Sequence, residues 1–243
     1  EPERPVKNNP NYRTSDKNTT RIYWEQPSQG FSFAGLGSIL EFQSTDIENS
    51  EEINNQINNT MEMGISVTDN SLIGPRIIGG FAFNNYKGND DTWKNFPRKH
   101  FLLPECLGTS TDDGTWLTIS RIVHPNEKLD TIINELTQTI SYYENRLPVT
   151  LPPISRVAVD KFRDVPDQQT YNNTIFSVLG NIKPGQLEKV VISRSHHVKV
   201  GKEFSAVSAI QVLRNAYPKC TSFFFSFPGQ PQGQKACLKI RGS

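Results

Sequence analysis

Gly180-Asn-Ile-Lys-Pro-Gly-Gln-Leu-Glu-Lys-Val-Val-Ile-Ser-Arg194 is the stretch whose reading decides the fold. Upstream of it, Tyr171, Ile175, Val178, Leu179 and Ile182 recur at steps of three and four, the period of one helical face. Asp167, directly after Pro166, supplies an N-cap for that helix. Pro184-Gly185 breaks it, because proline has no amide N–H to continue the helix and glycine tolerates the turn. The run Glu188 to Ser195 alternates with β-branched residues. It predicts a strand with Val190, Ile192 and Arg194 on one face and Lys189, Val191 and Ser193 on the other.

A lysine beside Val190-Val191-Ile192 admits two readings. Buried, it would lose hydration of its ammonium form and be held neutral near pH 7, as a general base requires. On a sheet edge, its stem would lie along apolar surface while the ammonium reaches water. Spacing leaves both open.

The segment Ile182 to Arg194 resembles the signature of chorismate-utilising enzymes, and within them of isochorismate synthases. Two earlier stretches resemble the same family in the same order. Tyr23-Trp-Glu-Gln-Pro27 precedes Phe31-Ser-Phe-Ala-Gly-Leu-Gly37, and Gly74-Pro-Arg-Ile-Ile-Gly-Gly-Phe-Ala-Phe83 follows. The resemblance implies an α+β fold of layered antiparallel sheets with flanking helices, like anthranilate synthase component I. It implies that Lys189 is catalytic, the base activating a water that adds to the chorismate ring. Ammonia-using relatives usually carry glutamine at that place. Arg194 is expected in a structural ion pair, with pairing to a substrate carboxylate as the alternative.

The likeness spans residues 21–229 and about the first half of the family's domain. A Ser/Thr-Pro-Glu motif, which would carry the general acid, does not follow Phe227-Pro-Gly229. The resemblance places that acid, the glutamates binding Mg2+ and the chorismate carboxylate site in a second half. The expected organisation is a flexible lead-in over 1–20, a partial, truncated domain over 21–229 and a divergent tail over 230–243. Glu1 in place of methionine points to processing or a fragment. The chain alone is therefore expected to be inactive, and Phe223 to Phe227 to be an aggregation hazard if uncovered. Rival expectations are a salicylate synthase or other chorismate-utilising synthase, and a non-catalytic fragment that needs a partner chain.

Composition is consistent with a globular protein with many turns. Over 243 residues, 26 basic and 25 acidic residues leave a net charge of +1, with 16 glycines and 16 prolines marking turns. No basic stripe points to nucleic acid, and no apolar run approaches the roughly 20 residues of a membrane span. Cys106, Cys220 and Cys237 show no metal spacing and are expected as free thiols. A cytoplasmic enzyme of menaquinone or siderophore biosynthesis is expected, monomeric at full length, with chorismate as its small-molecule partner.

In chain order, Tyr23 to Ala34 predicts a hairpin turning at Pro27 to Gly30. Thr45 to Met63 predicts a surface helix packed through Ile47, Ile53 and Ile57, and Asp90 to Phe96 a short helix or turn. His100 to Pro104 is expected to pair with Gly114 to Val123. Thr111-Asp-Asp-Gly114 supplies turn chemistry between them. A helix over 130–146 should bury Leu129, Ile132, Ile133, Leu136 and Ile140, and a proline linker should follow at 148–153. Ser205 to Ala216 is expected as a helix stapled by Phe204, with Val207, Ile210, Val212 and Leu213 inward; Cys220 to Phe227 is expected as a strand. His100 and His124 are expected in solvated or structural roles. His196-His197 would point to opposite strand faces, which precludes chelation of one metal.

Overall fold

The structure is a computed structural model. It describes residues 19–44, 50–66, 68, 70, 72–82, 97–145, 159–185, 187–200, 206–227 and 237–241. Two units divide the chain: unit 1 comprises 1–152 and 206–243, and unit 2 comprises 153–205. Expectations for 1–18, Ile47, Asp90 to Phe96, the proline linker and Phe204 lie outside the described residues.

Unit 1 holds strands β1 (Arg21–Gln26), β2 (Phe31–Leu36), β3 (Leu40–Ser44), β4 (Ile78–Phe81), β5 (Lys99–Leu103), β6 (Cys106–Thr111), β7 (Gly114–Ile119), β10 (Thr221–Ser226) and β11 (Cys237–Arg241). Its helices are α1 (Ser50–Glu62), α2 (Leu129–Glu144) and α4 (Ala206–Ala216). The predicted β1–β2 hairpin is present, closed by a 3-10 turn at Pro27–Gln29 and by Gly30 at φ 66°. The strands make a six-stranded sheet in the order β11-β10-β1-β2-β6-β7 and a three-stranded sheet β3-β5-β4, antiparallel throughout.

Register sorts the larger sheet into two faces, because directly paired residues share a side. Tyr23 pairs with Phe224 and Glu25 with Ser222, and α4 covers this face, with Ile210 buried on Phe224 and Tyr23. Trp24 pairs with Phe223 on the other face, where the two rings stack at 5.3 Å. Phe33 shares that face and lies under the Arg76 guanidinium at 4.6 Å. Gly35 is also there, and a Cβ on it would sit 3.1 Å from Pro104 Cγ, so the strand passes that ring closely. The phenylalanine-rich β10 is covered at both edges, by β1 and by β11 of the tail.

Three expectations change. His100 to Pro104 does not pair with Gly114 to Val123: β5 joins β3 and β4, and the partner of β7 is β6. Thr111-Asp-Asp-Gly114 does turn the chain, with the Asp113 amide donating to Thr111 Oγ1 at 3.2 Å. Pro104 separates β5 from β6, and the polar run Cys-Leu-Gly-Thr-Ser-Thr carries too little apolar alternation to be read as a strand. Of the stripe expected on α2 only Ile132 and Leu136 turn inward, while Leu129, Ile133 and Ile140 are exposed; Tyr143, outside that stripe, is buried. That helix meets the sheet along β7. On α4, Val207 and Val212 are likewise exposed. By contrast, α1 buries Ile53 against β3 as its spacing predicts.

Unit 2 contains β8 (Val159–Val165), α3 (Gln168–Ile182) and β9 (Ser195–Val200), with β8 and β9 antiparallel. Asp167 caps α3 by accepting from the Thr170 amide at 3.0 Å. Tyr171, Ile175, Val178 and Ile182 form its half-buried face, whereas Leu179 is exposed. The third change is here. Residues 187–194 form no strand, and pairing begins only at Ser195. A ladder needs a neighbour, and none of the described strands lies beside this segment.

Candidate functional site

The lysine singled out by the sequence stands on that unpaired segment. After α3 the chain turns through Gly185, whose amide donates to the Ile182 carbonyl at 3.0 Å, and residues 187–194 carry no regular secondary structure. Lys189 is exposed, as are Val190 and, at 84%, Val191. Burial that would neutralise an amine is therefore absent around Lys189 among the described residues. The deeply buried lysine is Lys99 on β5, 3% exposed, which strand periodicity did not single out.

The far end of the segment is held by Asp164 on β8. Asp164 Oδ1 lies 2.5 Å from His196 Nδ1, and Oδ2 lies 3.3 Å from Arg194 Nη1. Arg194 also donates to Gln168 Oε1 at 2.8 Å and stands over the Tyr171 ring at 5.1 Å. The His196 hydrogen bond first, and the Arg194 charge after it, hold the Asp164 carboxyl below the usual carboxylate range, against the opposing effect of burial. Arg194 is thus the expected structural ion pair. His196 and His197 lie on successive positions of β9 opposite Asp164 and Arg163, with Phe162 stacked on His196 at 5.4 Å.

Unit 1 carries two further polar clusters. On its smaller sheet, Glu41 Oε2 lies 3.1 Å from His100 Nε2, while Ser38 and Gln43 donate to the same carboxylate at 2.5 and 2.7 Å. The hydrogen bond to His100 dominates in pulling the Glu41 pKa down to about 2, with burial opposing it. His100 is structural, as expected, and its ring contacts Phe227 at 4.3 Å.

A depressed folded-state pKa means that the Glu41 contribution to stability is complete above the unfolded value, about 4.5, and is lost as pH falls toward about 2. Glu41→Gln is expected to lower the thermal midpoint at pH 7, with the difference from the unaltered chain shrinking between pH 4.5 and 2. A difference independent of pH over that window would remove the hydrogen-bonded Glu41 carboxylate as its cause.

On the larger sheet, Arg214 of α4 makes a bidentate pair with Glu25, Nε to Oε2 at 2.5 Å and Nη2 to Oε1 at 2.7 Å. It also stands over Tyr23 at 5.8 Å, and burial raises the Tyr23 hydroxyl to about 12. The glutamate of the Tyr-Trp-Glu-Gln-Pro motif therefore ties a strand end to a helix. Arg214→Lys keeps the charge but loses the planar fork. We expect it to cost about 1 kcal/mol, because the guanidinium is well exposed and screened. Urea unfolding checks this, and a lysine variant as stable as the original chain would contradict the fork.

Cys106 and Cys220 are free; burial pushes the Cys106 thiol up to about 12, which makes it inert at neutral pH. Mg2+ takes oxygen ligands, several of them carboxylates. Among the described residues no group of three His, Cys, Asp or Glu side chains could hold a metal ion, and Glu41 and Asp164 are both engaged. These residues do not fit a magnesium site. No described helix is long and apolar enough to cross a membrane.

A family model described as chorismate binding enzyme matches residues 9–232. Isochorismate synthase MenF of Bacillus subtilis (strain 168) is 25% identical over 194 residues, covering 76% of this chain and 40% of that protein. Among solved structures, MenF, the menaquinone-specific isochorismate synthase from Escherichia coli, superposes with a TM-score of 0.56 at 18% identity. A putative 2,3-dihydroxybenzoate-specific isochorismate synthase, DhbC from Bacillus anthracis, does so at 0.53 and 14%. Each match covers 93% of this chain and 45% of the other, so the chain spans less than half the length of these relatives. At such identities the superpositions show a shared fold.

Proposed function

The chain belongs to the chorismate-binding enzyme family, and from that premise we propose that it is the lysine-bearing portion of an isochorismate synthase. What supports this reading is the resemblance of Ile182 to Arg194, with lysine at 189, to the isochorismate synthase signature, in a chain matching an isochorismate synthase over 194 residues. In the proposed reaction, water adds at C2 of chorismate and hydroxide leaves C4, so the composition of the molecule is unchanged. Lys189 takes the proton of the attacking water, and an acid outside the described residues protonates the leaving oxygen.

Neutral Lys189 is the reactive form, so its exposed position calls for further polypeptide to desolvate it. Mg2+ belongs to this proposal as a requirement of the whole domain, and no step above passes through it. The cytoplasmic setting, the monomeric state and a place in menaquinone or siderophore synthesis are part of the same reading.

A second reading has its own support: the chain acts only with the polypeptide that completes the domain. Val191, Phe162 (68% exposed) and Phe176 (71% exposed) leave apolar surface on unit 2, and residues 187–194 leave backbone groups without ladder partners.

Chromatography of chorismate incubations with magnesium tests both readings, using this chain alone and this chain supplemented with the complementary half of a chorismate-binding domain. Isochorismate is expected only in the supplemented incubation, and a chelator should stop its formation. Salicylate as the product would replace the synthase assignment with that rival, and no turnover in either incubation would remove the enzyme reading.

A further inference from the structure

We infer that Arg194 is a positioning residue for Lys189, clamped so that the segment carrying the lysine is held by side chains where no ladder holds it. The inference rests on the proposed role of Lys189, but the clamp itself is independent of that chemistry.

A segment with neither regular secondary structure nor a described backbone partner is free to swing unless its ends are fixed. Its first end follows the Gly185 turn, one hydrogen bond from α3. Its last residue is Arg194, and three separate groups fix that guanidinium. Asp164 of β8 binds it at 3.3 Å, Gln168 in the first turn of α3 at 2.8 Å, and the Tyr171 ring one turn on supports it at 5.1 Å. Asp164 is itself braced by His196, the second residue of β9, paired with it in register.

One carboxylate thus fastens the segment's end to a strand while the helix grips the same guanidinium from another direction. Four residues separate Lys189 from this anchor, and the five steps between them span at most about 18 Å. A guanidinium suits the task because its planar fork can meet a carboxylate and an amide oxygen together, which a lysine ammonium does in no fixed geometry. The clamp also commits Arg194 to protein partners and removes it as a receptor for a substrate carboxylate.

Backbone 15N relaxation of the full chain reads the clamp directly. In the unaltered chain, amides 190–193 should approach the order parameters of α3, about 0.85, and in Arg194→Ala they should fall below about 0.6 while α3 and β9 keep theirs. Arg194→Lys should restore part of the loss, and Asp164→Asn, which keeps a hydrogen-bonding oxygen, should lie between. If Arg194→Ala fails to fold, Gln168→Ala removes one contact from a helix surface and should give an intermediate loosening of 190–193.

Segment amides already mobile in the unaltered chain, or unchanged in the variants, would overturn the inference. So would loosening of α3 and β9 together with the segment, which would make the contact a general structural tie. Failure of Lys189→Ala to reduce turnover would strike the proposed chemistry alone, since turnover plays no part in these readouts.

Discussion

Lys189→Ala is expected to reduce isochorismate formation at least about 10²-fold, and up to about 10⁴-fold, in the chain supplemented with its complementary half. The loss should fall on kcat, with KM little changed, because a general base acts on the proton that moves in the transition state. A hundredfold loss corresponds to about 2.7 kcal/mol of barrier, well within what one positioned base contributes. Lys189→Arg should not rescue, since a guanidinium stays protonated throughout the accessible pH range. A Lys189→Ala enzyme within about tenfold of the original would end the base assignment.

Gly79→Ala should produce the largest loss of stability. A Cβ at that position would stand 2.0 Å from the His100 carbonyl oxygen and 2.5 Å from the Phe101 Cα. Both obstacles are backbone on the paired strand, so relief requires β4 to leave β5. We expect a cost of about 3 kcal/mol or more, at or above the upper part of the range for overpacking. Gly80→Ala is the internal control. Its added methyl meets nothing within 4 Å, and a change within about 0.5 kcal/mol is expected. Urea unfolding of the two variants decides the matter, and equal midpoints would show that the β4–β5 approach is looser than these distances imply. Nothing in the sequence says which of Gly79 and Gly80 is obligatory; the β4–β5 pairing does.

Local chemistry was legible because its causes lie within a few residues of chain. Asp167 and Thr170 are three positions apart, so the cap of α3 could be read directly, as could the Pro27-to-Gly30 turn and the Asp112-Asp113 turn. The three family-like stretches were legible for a different reason: residue types at fixed spacing carried them, with no knowledge of packing. Less was legible where the partner lay far along the chain. Glu41 meets His100 across 59 positions, and Glu25 meets Arg214 across 189. No periodicity announces such pairs, and the strand interruption at Pro104 sent β5 and β6 to different sheets against the hairpin reading.

By itself the sequence determined the family, the helix and the turn that precede residue 187, and the residue type at position 189. Tertiary structure alone decided what surrounds that residue. Strand geometry is a property of two chains side by side, and the described residues place no strand beside 187–194, so Lys189 lies open to solvent. Arg194 instead finds Asp164, Gln168 and Tyr171 through the fold of β8 and α3. The side chain that the alternation placed at the end of a strand is, in space, the fastening of a segment that has no ladder.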